Sequence, residues 1–187
     1  MILVVAATER ELAGVDGAEA LCCGIGPVEA GVQTARALAR SRPDAVLHVG
    51  IAGSRVLEPP TLVIGSEAIY CDVIDPASTL PRVERVESDP VLRAAALSAV
   101  PDALVLPIAT SGKVGGGTEY DVEAMEGFAV LRAAELAHVP AVEVRAVSNS
   151  PEEADRALWL FDDALAALAQ ALPALTASIT AAMSASP

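Results

Sequence analysis

Short stretches that are apolar on both faces set the tightest constraint on this chain. "ILVVAA" (Ile2 to Ala7), "AVLHVGI" (Ala45 to Ile51) and "AVEVRAV" (Ala141 to Val147) lack the in-and-out alternation of a strand with one wet face. A sheet built from such strands has to be covered on both sides. Further strands are expected at "ALCC" (Ala20 to Cys23), "EAIYCDV" (Glu67 to Val73) and "ALVLPIA" (Ala103 to Ala109). The intervals carry helix signals. Pro27 stands at a first helical position before "VEAGVQTARALARS", and Asp89 with Pro90 reads as N-cap and N1. Ser150, Pro151 and Glu153 read as a capping box opening a helix that runs past Trp159. With no linker, repeat or low-complexity block between these pieces, one continuous α/β domain over residues 1–187 is expected.

A length of 187 residues suffices to bury a core. Lys and Arg number 12 against 25 Asp and Glu, a formal net charge of -13. That charge repels phosphate backbones and anionic membranes, so neither nucleic acid nor membrane is expected as a partner. Cys22, Cys23 and Cys71 give neither a disulfide framework nor a zinc spacing, which fits a reducing compartment. Met1 opens onto an apolar run without a basic n-region, so no signal peptide is expected and the cytoplasm is the expected location. From Ala164 to Pro187 there is no charged residue. Leu165, Leu168, Leu172, Leu175, Ile179 and Met183 recur there at helical spacing, with Gln170, Thr176, Ser178 and Thr180 opposite and Pro173 interrupting. The pattern predicts a packed terminal helix in preference to a span.

The obvious cofactor motifs fail on single residues. "CGIGPVEAG" follows a strand and precedes a helix, but Glu29 stands where a dinucleotide fingerprint needs its third glycine. "SGKVGGGT" has Pro107 at the first glycine of a phosphate loop and Val114 in place of its Ser or Thr. It remains a loop carrying the chain's only lysine, Lys113. His48, inside an apolar strand, reads as a hydrogen-bonded core residue, and no cluster offers metal spacing. No cofactor and no metal are expected. Acid and base work by carboxylates is what remains.

Glu126 stands out. On a helix its neighbours Val122, Ala129, Val130 and Ala133 are all apolar. Burying an ionised carboxylate unpaired costs several kcal/mol, so a partner or a cavity is required. A structural ion pair with Arg145 and a functional role are equally good readings of that position. Glu11 reads first as the far end of a capping box with Thr8 in "TERE". Asn149 falls at the carboxyl end of a strand, the edge at which parallel α/β sheets bind ligands, where it can also simply stabilise a turn.

These pieces occur together in one family. "VVAATEREL", "CGIGPVEAG", "HVGIAGS", "EAIYCD", "ATSG" and above all "AMEGFAV" followed by "VRAVSN" resemble the nucleoside phosphorylase and nucleosidase superfamily. The resemblance is to its hydrolytic branch, the 5′-methylthioadenosine/S-adenosylhomocysteine nucleosidases and futalosine hydrolases. It implies a mixed central sheet flanked by helices, and an N-ribosyl hydrolase with water as co-substrate and a purine nucleoside as partner. Glu11 would activate the water, Glu126 would grip the ribose hydroxyls, Met125 would line the sugar, and Ile51 and Gly53 of "GIAGS" would bound the pocket. Ile51 stands where the family has serine.

Asn149 departs from the aspartic acid with which methylthioadenosine nucleosidases protonate the adenine. A carboxamide gives up no proton but can donate an N–H to a 6-oxopurine. The resemblance is therefore strongest to futalosine hydrolase of menaquinone biosynthesis, which releases hypoxanthine. An adenine-releasing nucleosidase and a silent nucleoside-binding protein are the other readings. Lys113 or Arg55 is expected to meet the far-end carboxylate of futalosine. The family further implies a homodimer or higher homo-oligomer, which an exposed Phe128 would suit. The loop after Ile74 is where the chain is expected to run shorter than its family.

Overall fold

The computed structural model describes residues 1–75, 77 and 81–185, so the expected shortening after Ile74 lies in part outside the described residues. Among the described residues, eight strands form one mixed sheet: β1 (Ile2–Ala6), β2 (Glu19–Cys22), β3 (Ala45–Ser54), β4 (Leu62–Tyr70), β5 (Arg85–Glu87), β6 (Leu104–Thr110), β7 (Val122–Ala124) and β8 (Ala141–Asn149). They are accompanied by the helices α1 (Pro27–Ser41), α2 (Pro90–Ala99), α3 (Gly127–Leu136) and α4 (Phe161–Ala185). β1 lies parallel to β2 and β3, and β3 lies parallel to β8. β8 turns antiparallel against β4, β4 runs parallel to β6, β6 to β7, and β7 returns antiparallel to β3. Five strands thus close into a ring, with β2, β1 and β5 as extensions.

The two-faced apolar strands are covered as their composition requires. Val142, Val144 and Ala146 of β8 pack with Leu168, Leu172, Leu175 and Ile179 of α4 and with α2. Ala141 shares the opposite layer with Val130, Leu131 and Ala134 of α3 and Ala30 and Leu38 of α1. Ala52, Val63, Ile108, Val122, Ala124 and Val147 form a third cluster to which all five ring strands contribute. Each of the large buried aliphatic side chains contributes roughly 1.5–3 kcal/mol of transfer free energy.

The helix starts follow local chemistry. Pro27 opens α1, and the Asp89 carboxylate accepts from the Val91 and Leu92 amides at 2.9 and 3.0 Å to cap α2. A cap of this kind stabilises by about 1 kcal/mol. α4 is long and apolar enough to cross a membrane by length and composition, but its leucine stripe is buried against the sheet.

Several expectations need correction. β5 and β7 were not visible as strands because three residues are too few for a period. β4 begins at Leu62, before the expected start, and ends at Tyr70. Pro173 does not interrupt α4 but sits exposed inside it, and Thr176 is buried, its hydroxyl donating to the Leu172 carbonyl at 2.9 Å. Ser150 opens no helix: a turn follows it, Asp155 caps a short 3₁₀ turn (Arg156–Leu158), and α4 begins only at Phe161. Phe128 is half-buried, stacked on Tyr70 with ring centroids 5.1 Å apart, so it is not the exposed aromatic expected of an oligomer contact.

Candidate active site

The elements converge where β3 and β8 end. A register shift between Ala52 and Gly53 brings Gly53 opposite Asn149, the last residue of β8. β7 ends one residue before Met125, and the turns after β1 carry Thr8 and Glu11. Around them lies a cavity of about 320 Å³, lined by Glu11, Ile51, Gly53, Lys113, Met125, Glu126 and Asn149 among others. That size suits a small-molecule site. Glu11, Glu126 and Asn149 border it while only 5%, 4% and 8% exposed, so each faces the cavity from a largely dry setting.

Glu126 is not in the middle of a helix. Val122–Ala124 is a strand, and Glu126 is the residue immediately before α3, so the apolar helical neighbours inferred for it do not surround it that way. Its Oε1 accepts from the Gly26 amide at 3.1 Å, in the glycine turn before α1, and its Oε2 faces Arg145 Nη2 at 3.4 Å. The ion pair and the cavity position therefore hold together.

Glu11 belongs to no regular helix either; residues 8–14 form successive turns. The capping interaction survives locally, with the Thr8 amide and hydroxyl both donating to Oε2 at 2.8 Å. Its Oε1 accepts from the Ile51 amide at 3.1 Å, which ties it to β3. This leaves a fixed acceptor group at the cavity wall.

Arg145 organises the floor. Nε donates to Glu143 Oε1 at 2.7 Å, Nη1 to the Ile51 carbonyl at 3.3 Å, and Nη2 to His48 Nε2. Gly50 makes room for it, since a Cβ there would lie 2.2 Å from Nη1 and 2.8 Å from Glu11 Oε1. His48 Nδ1 lies 3.0 Å from the Val5 carbonyl, which only accepts, so Nδ1 bears the proton and Nε2 is the acceptor. Burial and the neighbouring guanidinium hold His48 well below its ordinary range, in agreement with a neutral ring. Burial pushes Glu143 up from the usual carboxylate range, opposed by Arg145, while its acidic neighbours keep Arg145 firmly charged.

Asn149 is held in one orientation. Nδ2 donates to the Ser150 carbonyl at 2.9 Å, and Oδ1 accepts from Ser148 Oγ at 2.8 Å. One amide N–H and one oxygen lone pair are left over for a ligand.

Lys113 lines the cavity, with Nζ also donating to the Gly116 carbonyl at 3.0 Å. Arg55 does not line it. Its guanidinium donates to the Tyr120 and Thr118 carbonyls at 2.5 and 2.7 Å and pairs with Glu123 at 3.4 Å, so it clamps the loop. Cations missed in the sequence are Arg10 and Arg156 at the cavity, the latter 5.7 Å from the centre of the Trp159 ring. Trp159, pinned through its indole N–H to the Glu153 carbonyl at 2.9 Å, forms an apolar wall with Phe161 and Leu165. Two charged residues at alternate positions of "VEVRAV" were the available signal for the Glu143–Arg145 pair. Among the described residues no group of His, Cys, Asp or Glu is placed to hold a metal.

The Phosphorylase superfamily model matches residues 17–183. No curated protein matches the chain. Among solved structures, it is similar to a 5′-methylthioadenosine/S-adenosylhomocysteine nucleosidase of Neisseria meningitidis in complex with methylthio-immucillin-A. The two share 24% identity with a TM-score of 0.81, over 96% of this chain and 97% of the other. An MTA/SAH nucleosidase of Streptococcus pneumoniae gives 23% and 0.82 over 95% and 99%. A futalosine hydrolase mutant of Helicobacter pylori gives 21% and 0.80 over 96% and 98%. At these identities the likeness speaks for the fold alone. Glu11 precedes the matched segment, so its place in the site rests on the geometry above.

Proposed function

The chain belongs to the Phosphorylase superfamily, and from that premise we propose that it is an N-ribosyl hydrolase acting on a 6-oxopurine nucleoside, with futalosine as the substrate and hypoxanthine as the leaving base. The observation that carries the reading is a pair of buried carboxylates, Glu11 and Glu126, on the wall of one cavity that ends at Asn149.

In this reaction the bond from the anomeric carbon to the base breaks as water attacks, and the sugar passes through a cationic, oxocarbenium-like state. Glu126 grips the ribose hydroxyls from beside α3, with Met125 against the sugar. Its charge, in a setting of low polarity, favours the cation more than the neutral ground state. Glu11, held by Thr8 and the Ile51 amide, keeps acceptor capacity for a water and takes its proton as the new C–O bond forms. The departing base keeps the bonding electron pair at N9, spreads the charge over the ring and takes a proton from solvent to become hypoxanthine, while Glu11 returns the water's proton to solvent. Asn149 donates its remaining amide N–H to N7 or O6.

Hydrolysis is favoured over phosphorolysis because the cations at the cavity do not form a phosphate cradle. Arg145 is committed to Glu143, Glu126 and His48, and Arg10 pairs with Asp162 at 2.7 Å. Lys113 and Arg156 are the cations available to a carboxylate at the 5′ end, in place of Arg55. Purified protein incubated with futalosine, methylthioadenosine and inosine, with and without phosphate, tests the proposal by identification of the freed base. Hypoxanthine from futalosine without phosphate is expected. Adenine from methylthioadenosine would favour the adenine-releasing reading, and no base at all would leave a binding protein.

A further inference from the structure

Glu143 has no part in the steps above, yet it is fully buried beneath the site. Of the two carboxylates ion-paired with Arg145, it holds the guanidinium the more closely, at 2.7 Å from Nε against 3.4 Å between Nη2 and Glu126. Interaction energy falls with distance, and the short charge-assisted bond takes the larger share of the cation. His48 on the other side of the guanidinium accepts from Nη2 through its unprotonated Nε2, with the ring proton on Nδ1 toward the Val5 carbonyl, so it adds no positive charge. Three carboxylates, Glu11, Glu126 and Glu143, therefore stand around one compensating charge.

The surroundings are shaped to hold an acid at this point. A Cβ on Gly127, the first residue of α3, would lie 2.3 and 2.4 Å from the Glu143 carboxylate oxygens, so only glycine leaves the space. The carboxylate thus sits against a helix amino end, where negative charge is favoured. Among the described residues its Oε2 meets no hydrogen-bond partner, which would be a costly arrangement for a merely structural side chain.

We propose that Glu143 is a positioning residue: it ties up the charge of Arg145 so that Glu126 and Glu11 present theirs to the ribosyl ring, and the site's preference for a cationic over a neutral sugar depends on it. The inference rests on the nucleosidase reading of the cavity. Without Glu143, Arg145 turns its charge on Glu126 and cancels the field at the sugar.

The test is calorimetric binding of two uncleavable analogues, 9-deazainosine and its counterpart with a protonated pyrrolidine nitrogen in place of the ring oxygen. The wild type is expected to prefer the cationic analogue. Glu143→Gln, which keeps the shape and loses the charge, is expected to lower that preference about tenfold or more while binding 9-deazainosine as before. Glu143→Asp, which keeps the charge, retains most of the preference. Should Glu143→Gln melt below the assay temperature, Glu143→Asn against Glu143→Asp makes the same comparison at equal side-chain length. A preference untouched in the uncharged variant, or lost equally in the aspartate variant, overturns the inference and leaves the nucleosidase reading standing. A wild type that binds neither analogue overturns both.

Discussion

Gly127 and Glu143 are fitted to one another so closely that a single added methyl group on the glycine would overlap both carboxylate oxygens. Gly127→Ala is therefore expected to drive the buried acid off Arg145. Base release should fall by about tenfold or more, since roughly 1.4 kcal/mol is a factor of ten. Steady-state assay beside a thermal melt checks this; an alanine variant with unchanged turnover would show that the contact does not matter.

His48 gives the fold a defined pH dependence. Its folded titration lies well below 6.5 while the unfolded imidazole titrates near it, so the unfolded state binds the extra proton as pH falls. The stability that goes with a neutral His48 is present above pH 6.5 and is lost below it, at about 1.4 kcal/mol per pH unit. Gln at this position can donate to Val5 and accept from Arg145. Urea unfolding of wild type and His48→Gln from pH 5 to 8 is expected to give a stability difference that moves against the wild type as the pH drops, and a constant difference would contradict it.

Asn149 is expected to select the base. Asn149→Asp restores a group able to protonate adenine, so adenine release from methylthioadenosine should rise by about 10²- to 10⁴-fold and hypoxanthine release should fall. Chromatography of both reactions checks it, and unchanged base preference would take Asn149 out of contact with the purine.

Arg156, backed by Trp159 at the cavity, is the cation proposed to meet the far-end carboxylate together with Lys113. Exposed charge pairs contribute little singly, so the Arg156→Ala, Lys113→Ala double variant is the useful one. It should raise KM for futalosine about tenfold and leave KM for inosine, which lacks that carboxylate, unchanged. An equal rise for both nucleosides would argue for a general distortion of the loops.

The layers of the fold were legible because β1, β3 and β8 are apolar on both faces, and because proline and aspartate mark the starts of α1 and α2. The closing of the ring was not, since it depends on β7, three residues long, and on the antiparallel pairing of β8 with β4. In the site, Glu11, Glu126, Met125, Ile51, Gly53, Lys113 and Asn149 all meet the cavity. Arg55 does not, because Glu123 and two carbonyls hold it in the loop, contacts that no local pattern announces. Arg10, Arg156 and Trp159 were missed for a like reason: the turn and 3₁₀ segment that aim them at the cavity carry no periodicity.

The central claim is that Glu126, placed before α3 and bound to the Gly26 amide, makes the anomeric carbon reactive by its charge. Glu126→Gln keeps the side chain's size and an oxygen for the Gly26 amide while removing that charge. With the circular dichroism spectrum unchanged, the turnover of futalosine without phosphate should fall by at least about 10²-fold, in the range of a lost electrostatic stabiliser. A folded Glu126→Gln protein that releases hypoxanthine at the wild-type rate would contradict the account.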